Sequence, residues 1–384
     1  MRVAITIPHS PSDPALADLL RRFSALLVDA MARFDDLVTI KTPPSGSTAP
    51  EEVDYLFELD VQPDGGGTEG FGRLRSVRDG RIVWTTSSGS ASFAALGDRE
   101  LAEMARRLAT QLTEPFGIIL ADARQFLPSG AIGCILLAYD ARRALQPARH
   151  RAARLCLNRL VEEEPGFYPG WAHLAIVMLG EAGLDPDAPG ADEGGEETGA
   201  MRDRALAAAL TALRLAPSGA RAYQAMMKVL LLRGATEAAI RMGSMARTRN
   251  PYDPEVLADV GALYVRLGRP LEGVPLLERA TDLSVGRPSR YDFYAFLGAY
   301  LIGAGKDSES YEGMLAADTS PLSLLGQALK AAADGDAARQ AKALAQLAVK
   351  SPAFARDPRS FLERRGFAGP VIDKILTALG LKKP

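Results

Sequence analysis

Two prolines 34 residues apart, Pro217 and Pro251, constrain this chain more than any other feature. Each closes an alanine-rich helical pattern, ALAAALTALRLAP and AAIRMGSMARTRNP. Alanines stand twelve residues before each proline (Ala205, Ala239) and five before each (Ala212, Ala246). Six residues after them come Tyr223 and Leu257, and Gly234 and Gly268, again 34 apart, punctuate successive helices. A period of this length describes a helical hairpin that cannot bury its apolar face alone, so copies must stack.

The frame extends in both directions. Pro165 ends ARLCLNRLVEEEP, with Ala153 in the alanine column and Trp171 in the column of Tyr223. Pro165 and Pro217 are 52 apart, one period plus the 18 residues 183–200. That insertion holds six acidic residues, no basic ones, five Gly and two Pro, and reads as a disordered acidic loop. Forward, Val285 stands where proline is expected, and Leu297 and Gly298 keep their columns. Gly305 and Gly335 supply turns, and Pro352 follows Gly335 by 17 residues, the gap from Gly234 to Pro251. The array therefore spans 148–352. Residues 353–384 read as capping helices, with apolar Phe361, Leu362, Phe367, Val371, Ile372, Ile375 and Leu376.

The first third follows a different period. Residues 2–7 (RVAITI) and 37–41 (LVTIK) read as strands on either side of an amphipathic helix over 15–34. After a Pro/Gly/Ser-rich linker, 53–61, 69–77 and 81–87 read as three more strands, the last two joined by the tight turn signal Asp79-Gly80. A second amphipathic helix covers 98–112. The order β-α-β-β-β-α predicts a small mixed sheet in an α/β domain over 1–114, with a helical connector over 115–147 leading to the all-α array. Gly65-Gly66-Gly67 joins two strands and does not open a helix, so it reads as a turn and not a phosphate cradle.

The repeat columns resemble the tetratricopeptide repeat, in which large residues on a first helix meet small ones on a second. The opening RVAITIPHSPSDPALADLLRRFSALLVDAMARFDDLVTI, with VDYLFELDV and GRIVWTT, resembles the TolB-like amino-terminal domain. GCILLAYDARRALQPARHRAARLCLNRLVEEEPGFYPGWAHLA resembles that family's connector and first repeat, and ARDPRSFLERRGFAGPVIDKILTALGL its helical closure. Such regions commonly follow a class III adenylate cyclase or a CadC-type winged-helix domain in bacterial regulators. The resemblance therefore implies a stand-alone or excised sensory or scaffolding region.

Balanced charge, 45 basic against 47 acidic side chains, argues against a nucleic-acid binder. Without the insertion the body is mildly basic. No apolar run is long enough for a membrane span. Cys134 and Cys156 fall inside apolar helical patterns and read as two buried thiols, which together with the lack of an apolar leader implies a cytoplasmic location. His9, His150 and His173 have no partner at metal-ligand spacing, and no nucleophile elbow occurs. The expectation is no enzyme, no cofactor and no metal.

A binding groove is the better candidate. On the helix 220–232, Tyr223, Met226, Met227 and Leu230 form the packing stripe, while Arg221, Gln224 and Lys228 share another face. The equivalent faces of the next two helices hold Glu255 and Asp292. These five residues are the expected partner groove, suited to an acidic peptide or a C-terminal carboxylate. The function expected is a non-enzymatic interaction scaffold for a protein or peptide. The alternative is the regulatory region of a bacterial cyclase or transcription factor whose output domain lies elsewhere.

Overall fold

The computed structural model describes residues 1–41, 52–64, 67–88, 93–126, 129–144, 146–181, 196–286, 288–303, 315 and 318–381. It divides into two compact units, Met1–Ile132 with Leu283–Gly286, and Gly133–Asp282 with Arg287–Pro384.

The first unit is built on five strands: β1 (Arg2–Thr6), β2 (Thr39–Ile40), β3 (Tyr55–Asp64), β4 (Gly67–Ser76) and β5 (Ile82–Ser87). They lie in the order β2-β1-β3-β4-β5, with β1 parallel to both neighbours and β3, β4 and β5 antiparallel. The expected mixed sheet is therefore present. Val3, Ala4 and Ile5 are buried in succession, as a strand covered on both faces requires. Between Tyr55 and Gln62 of β3, Tyr55, Phe57 and Leu59 are buried and the residues between them are not, the alternation of a strand with one wet face. On that other face Glu58 pairs across strands with Arg75 at 3.3 Å. The Asp79-Gly80 turn closes β4 onto β5, with Gly80 at φ 71°.

Helix α1 (Pro14–Ala32) starts where Asp13 accepts the Ala15 N–H at 2.9 Å and Pro14 presets φ. Its Leu20, Phe23, Leu27 and Met31 pack on the sheet and on α2 (Asp98–Thr113), which offers Leu101, Ala105, Ala109 and Leu112. Helix α3 (Ile118–Arg124) is tied to the sheet through Asp122, which accepts the Tyr55 hydroxyl at 2.8 Å and meets Arg81 at 2.6 Å. Burial and then the Asp122 bond push the Tyr55 phenol far above its ordinary value. Gly65 and Gly66 lie outside the described residues.

The second unit begins with most of α4 (Gly130–Ala144), then α5 (Pro147–Glu163), α6 (Tyr168–Glu181), α7 (Glu196–Leu215), α8 (Ala220–Leu232), α9 (Thr236–Arg249), α10 (Pro254–Arg266) and α11 (Pro270–Leu283). It continues with α12 (Ser289–Leu301), α13 (Pro321–Asp334), α14 (Ala337–Lys350) and three short helices, α15 (Pro352–Arg356), α16 (Pro358–Arg364) and α17 (Gly369–Ala378). Helices α6, α8, α10, α12 and α13 stack on one another as an inner layer, and α7, α9 and α14 pair with α6, α8 and α13 as hairpins. The repeat columns have direct physical roles. Ala153, Ala205, Ala212, Ala239 and Ala246 are fully buried at the helix crossings. Trp171 and Tyr223 each reach back six residues to donate to a proline carbonyl, Pro165 at 2.9 Å and Pro217 at 3.0 Å. Gly234 and Gly268 take φ of 75° and 76°, the left-handed turn that ends α8 and α10. At Gly273, where the repeat expects alanine, a Cβ would come within 2.6 Å of the Gly261 carbonyl oxygen, so α10 and α11 approach backbone to backbone.

Two expectations are corrected. The acidic insertion does not run as a loop to Ala200: Glu196–Leu215 is one helix, whose first turn holds Glu196 and Glu197, where the helix dipole favours negative charge. The remainder, 183–195, and the turn at Gly305 lie outside the described residues. The cysteines are not two thiols. Cys134 of α4 and Cys156 of α5 form a disulfide, with Cα atoms 5.4 Å apart. This removes the thiol argument for a cytoplasmic location, since stable disulfides belong mainly to oxidising compartments. Closing the loop between residues 134 and 156 is expected to stabilise the helical unit by about 3 kcal/mol. Alkylation of unreduced protein followed by mass spectrometry should find the pair linked, and reduction should lower the melting temperature. Two alkylated cysteines without reductant would refute the bond.

The C-terminal helices do more than cover one end. Their apolar residues Phe361, Leu362, Phe367, Val371, Ile372, Ile375 and Leu376 are all buried. The Ala368 N–H donates to the Arg266 carbonyl at 2.9 Å, Phe367 stacks on Tyr294 with centroids 6.5 Å apart, and Lys374 donates to the Leu301 carbonyl at 2.6 Å. A Cβ on Gly366 would lie 3.0 Å from Leu231. The segment therefore runs back across the ends of α8, α10 and α12.

A buried charge network as candidate functional site

Helix α8 places Arg221, Gln224 and Lys228 at spacings of three and four, on one stripe. Helix α10 does the same with Glu255 and Asp259, and Asp253 caps its start by accepting the Glu255 N–H at 2.8 Å and the Val256 N–H at 3.2 Å. Stacking α8, α10 and α12 brings these stripes together.

The contacts run without a gap. Arg221 donates to Asp253 at 2.6 Å and to the Gln224 side-chain oxygen. Gln224 donates to Asp259 at 2.6 Å and to the Glu255 carbonyl at 3.3 Å. Lys228 meets the same Asp259 oxygen at 3.4 Å. From α12, Arg290 pairs with Glu255. From α4, Arg142 bridges both carboxylates of α10, Glu255 at 3.0 Å and Asp259 at 3.1 Å. Tyr139 lies one turn before Arg142, with the Arg221 guanidinium 5.4 Å from its ring centre and the His173 ring edge-on at 4.8 Å. Arg266 donates to the Tyr294 hydroxyl at 2.9 Å.

The five residues expected to line a groove are thus found on the inner layer, and every one is buried: Arg221 1%, Gln224 0%, Lys228 7%, Glu255 4% and Asp292 1% exposed. Instead of an open solvated wall, Arg221, Gln224, Lys228 and Glu255 form a covered network, with α4 laid against it. Among the described residues, α4, α8, α10 with its capping residue, and α12 bury five cations (Arg142, Arg221, Lys228, Arg266, Arg290) against four carboxylates (Asp253, Glu255, Asp259, Asp292).

Such burial requires pairing, because an isolated ion would shed its charge instead. Burial pushes the Glu255 carboxyl up, but Arg290 and Arg142 outweigh it and hold the group below its usual range. Asp259 is likewise raised by burial and pulled further down by Lys228 and Arg142. Burial, and next the Glu255 charge, push the Tyr291 phenol well above its ordinary value, and its hydroxyl has no hydrogen-bond partner among the described residues.

Sequence reasoning missed Arg142, Asp253, Asp259, Arg266 and Arg290. One signal was present. Arg221, Glu255 and Arg290 follow one another at 34 and 35 residues, so the first turn of successive inner helices alternates in sign. Stacked repeats place such a column in contact. Arg142 carried no comparable signal, since it lies outside the repeats. Among the described residues no group of three His, Cys, Asp or Glu side chains is gathered as a metal site, and no described helix is long and apolar enough to cross a membrane.

No family model matches the chain, and no curated protein sequence matches it. Among solved structures it is similar to YrrB, a TPR protein with an unusual peptide-binding site, at 17% identity and a TM-score of 0.34 over 53% of this chain and 97% of that one. It is similar to PilF of Pseudomonas aeruginosa at 17% identity and TM-score 0.39, covering 62% of this chain and 98% of PilF. A tetratricopeptide repeat protein from Parabacteroides merdae gives 16% and 0.37, over 64% of this chain and 97% of that protein.

Proposed function

We propose that the chain is a non-enzymatic interaction scaffold, which holds a protein or peptide partner through the inner layer carrying Arg221, Gln224, Lys228, Glu255 and Asp292. One observation supports this reading. The layer already holds a helix through charge: α4 lays Tyr139 and Arg142 against it, and Arg142 reaches two carboxylates of α10. A partner segment with an arginine three residues after an aromatic would meet the same groups. The acidic peptide expected from Arg221 and Lys228 fits less well, because both cations are already engaged by Asp253 and Asp259.

Because α4 is tethered, its effective concentration is on the order of millimolar, and a foreign segment competes against that. The test therefore weakens the tethered helix first. A fluorescein-labelled peptide of residues 130–147, with Cys134 replaced by Ser, is titrated into the full chain carrying Tyr139→Ala and Arg142→Ala. Saturable binding is expected, about tenfold or more tighter than to the wild type, where the helix is in place. The same peptide lacking its arginine should bind about tenfold more weakly. A variant that still melts cooperatively yet binds neither peptide, or both alike, would overturn the reading. Arg142→Gln alone serves if the double variant does not fold.

A further inference from the structure

The α/β unit contains a cavity of about 730 Å³, within the roughly 300–1,000 Å³ of small-molecule sites. Leu20 and Phe23 of α1, Leu59 of β3, and Met104 and Leu108 of α2 form its apolar wall with Phe93. Domain interiors are close-packed, so an unfilled apolar space of this size forfeits contacts that a ligand would restore.

The strands leave room for this wall. Gly70 and Gly72 stand at alternate positions of β4, opposite small partners: Gly70 N–H donates to the Ser88 hydroxyl at 2.9 Å, and Gly72 pairs with Thr86. A Cβ on Gly70 would press to 3.1 Å from the Phe93 ring, and one on Gly72 to 2.6 Å from Phe57. Phe93 can therefore lie flat beside the sheet and meet Phe23 edge-on at 5.6 Å, which gives the cavity an aromatic flank.

Charged side chains gather at the mouth. It is edged by α2, where the other charged side chains are held by bonds within the fold. Glu103 pairs with Arg107 at 3.2 Å, and Glu100 accepts the Gly97 N–H at 3.0 Å. Asp60, at the β3 edge, accepts the Val61 N–H at 2.8 Å. Arg99 is exposed at the mouth and pairs with no carboxylate among the described residues. An apolar interior with one uncommitted guanidinium at its entrance fits a molecule with a hydrocarbon body and an anionic head.

We propose that this cavity binds a small apolar carboxylate, its body against Phe23, Phe93, Met104 and Leu108 and its carboxylate on Arg99. Calorimetric titration of the full chain with decanoate tests this, with 1-decanol and decylamine as comparisons. Decanoate should bind saturably at one site and with a negative heat-capacity change. Arg99→Gln should weaken decanoate by about tenfold while leaving decanol unchanged. Met104→Trp should fill the space and abolish binding of both without lowering the melting temperature. Leu108→Phe serves the same purpose if the first variant melts early. Decanoate binding no better than decylamine, or binding undiminished in the filled variants, would overturn the assignment. These readouts concern the α/β unit alone and stand apart from the peptide titration of the helical array.

Discussion

Glu255→Gln is expected to destabilise the helical unit by about 3–5 kcal/mol, the cost of leaving buried charge without its partner. The side chain is nearly the same size, so the loss reports charge and not volume. Arg142 and Arg290 both face the Glu255 carboxylate, and both are buried. Glu272→Gln is the control. Its carboxylate pairs with Arg269 at 2.6 Å, but the two side chains are 48% and 42% exposed, so solvent screening limits the effect to about 1 kcal/mol or less. Urea titrations of the three proteins at neutral pH measure the difference.

The same pair of carboxylates sets an acid dependence. Both Glu255 and Asp259 are held below their ordinary values in the folded chain. A depressed carboxylate contributes stability that is fully present above the unfolded value of about 4 and is lost as pH falls through the folded value. The wild type should therefore lose stability on acidification below about pH 4 more steeply than Glu255→Gln, and the two curves should converge. An effect at neutral pH no larger than that of Glu272→Gln would show that the network contributes no more than a surface pair.

Tyr294→Ala is expected to cost a similar amount, about 3–5 kcal/mol, for a different reason. Tyr294 is 1% exposed, meets Phe293 edge-on at 5.0 Å, stacks against Phe367 and accepts from Arg266. Truncation opens a cavity, frees the C-terminal segment on one side and leaves a buried guanidinium without that acceptor. Tyr294→Phe separates these contributions, since it keeps the ring and removes only the hydrogen bond, at about 1–3 kcal/mol. Trypsin provides a second readout: cleavage after Arg364 or Arg365 should quicken in Tyr294→Ala and much less in Tyr294→Phe. An unchanged urea midpoint in Tyr294→Ala would rule out this packing role.

A network of buried ions is weak evidence for stability, because well-packed apolar residues of similar volume often do as well or better. Its presence where an apolar core would suffice fits a surface that selects what lies on it. That is the physical basis for reading α4 as an occupant of the inner layer.

Local and periodic features were legible in the sequence. The run 53–61 marked β3, and the Asp79-Gly80 signal marked the hairpin. The alanine columns marked helix crossings, and Gly234 and Gly268 marked left-handed turns. Each rests on interactions within a few residues or on a spacing repeated at 34. The short β2 was less clear: 37–41 reads as a strand, but only Thr39–Ile40 pairs, while Leu37 and Val38 serve the core.

What the tertiary structure alone decided involves partners that no period relates. Helical periodicity assigns α8 one buried and one wet face, yet no residue of α8 is exposed and α10 is buried all round, where α4 and the C-terminal segment meet what the repeats leave open. Arg142 reaches Asp259 across 117 residues, and the Cys134–Cys156 bond depends on how α4 turns onto α5. The cavity takes its walls from α1, α2, the sheet and Phe93, each of which reads as ordinary core by itself. Sequence period thus determined the repeated helical hairpins and the β-α-β-β-β-α unit, since both follow from short-range backbone preference and one-sided burial. Which polar faces were then sealed, and against which charges, was decided by segments far apart in the chain, because burial and Coulomb pairing depend on distance in space and not on spacing in sequence.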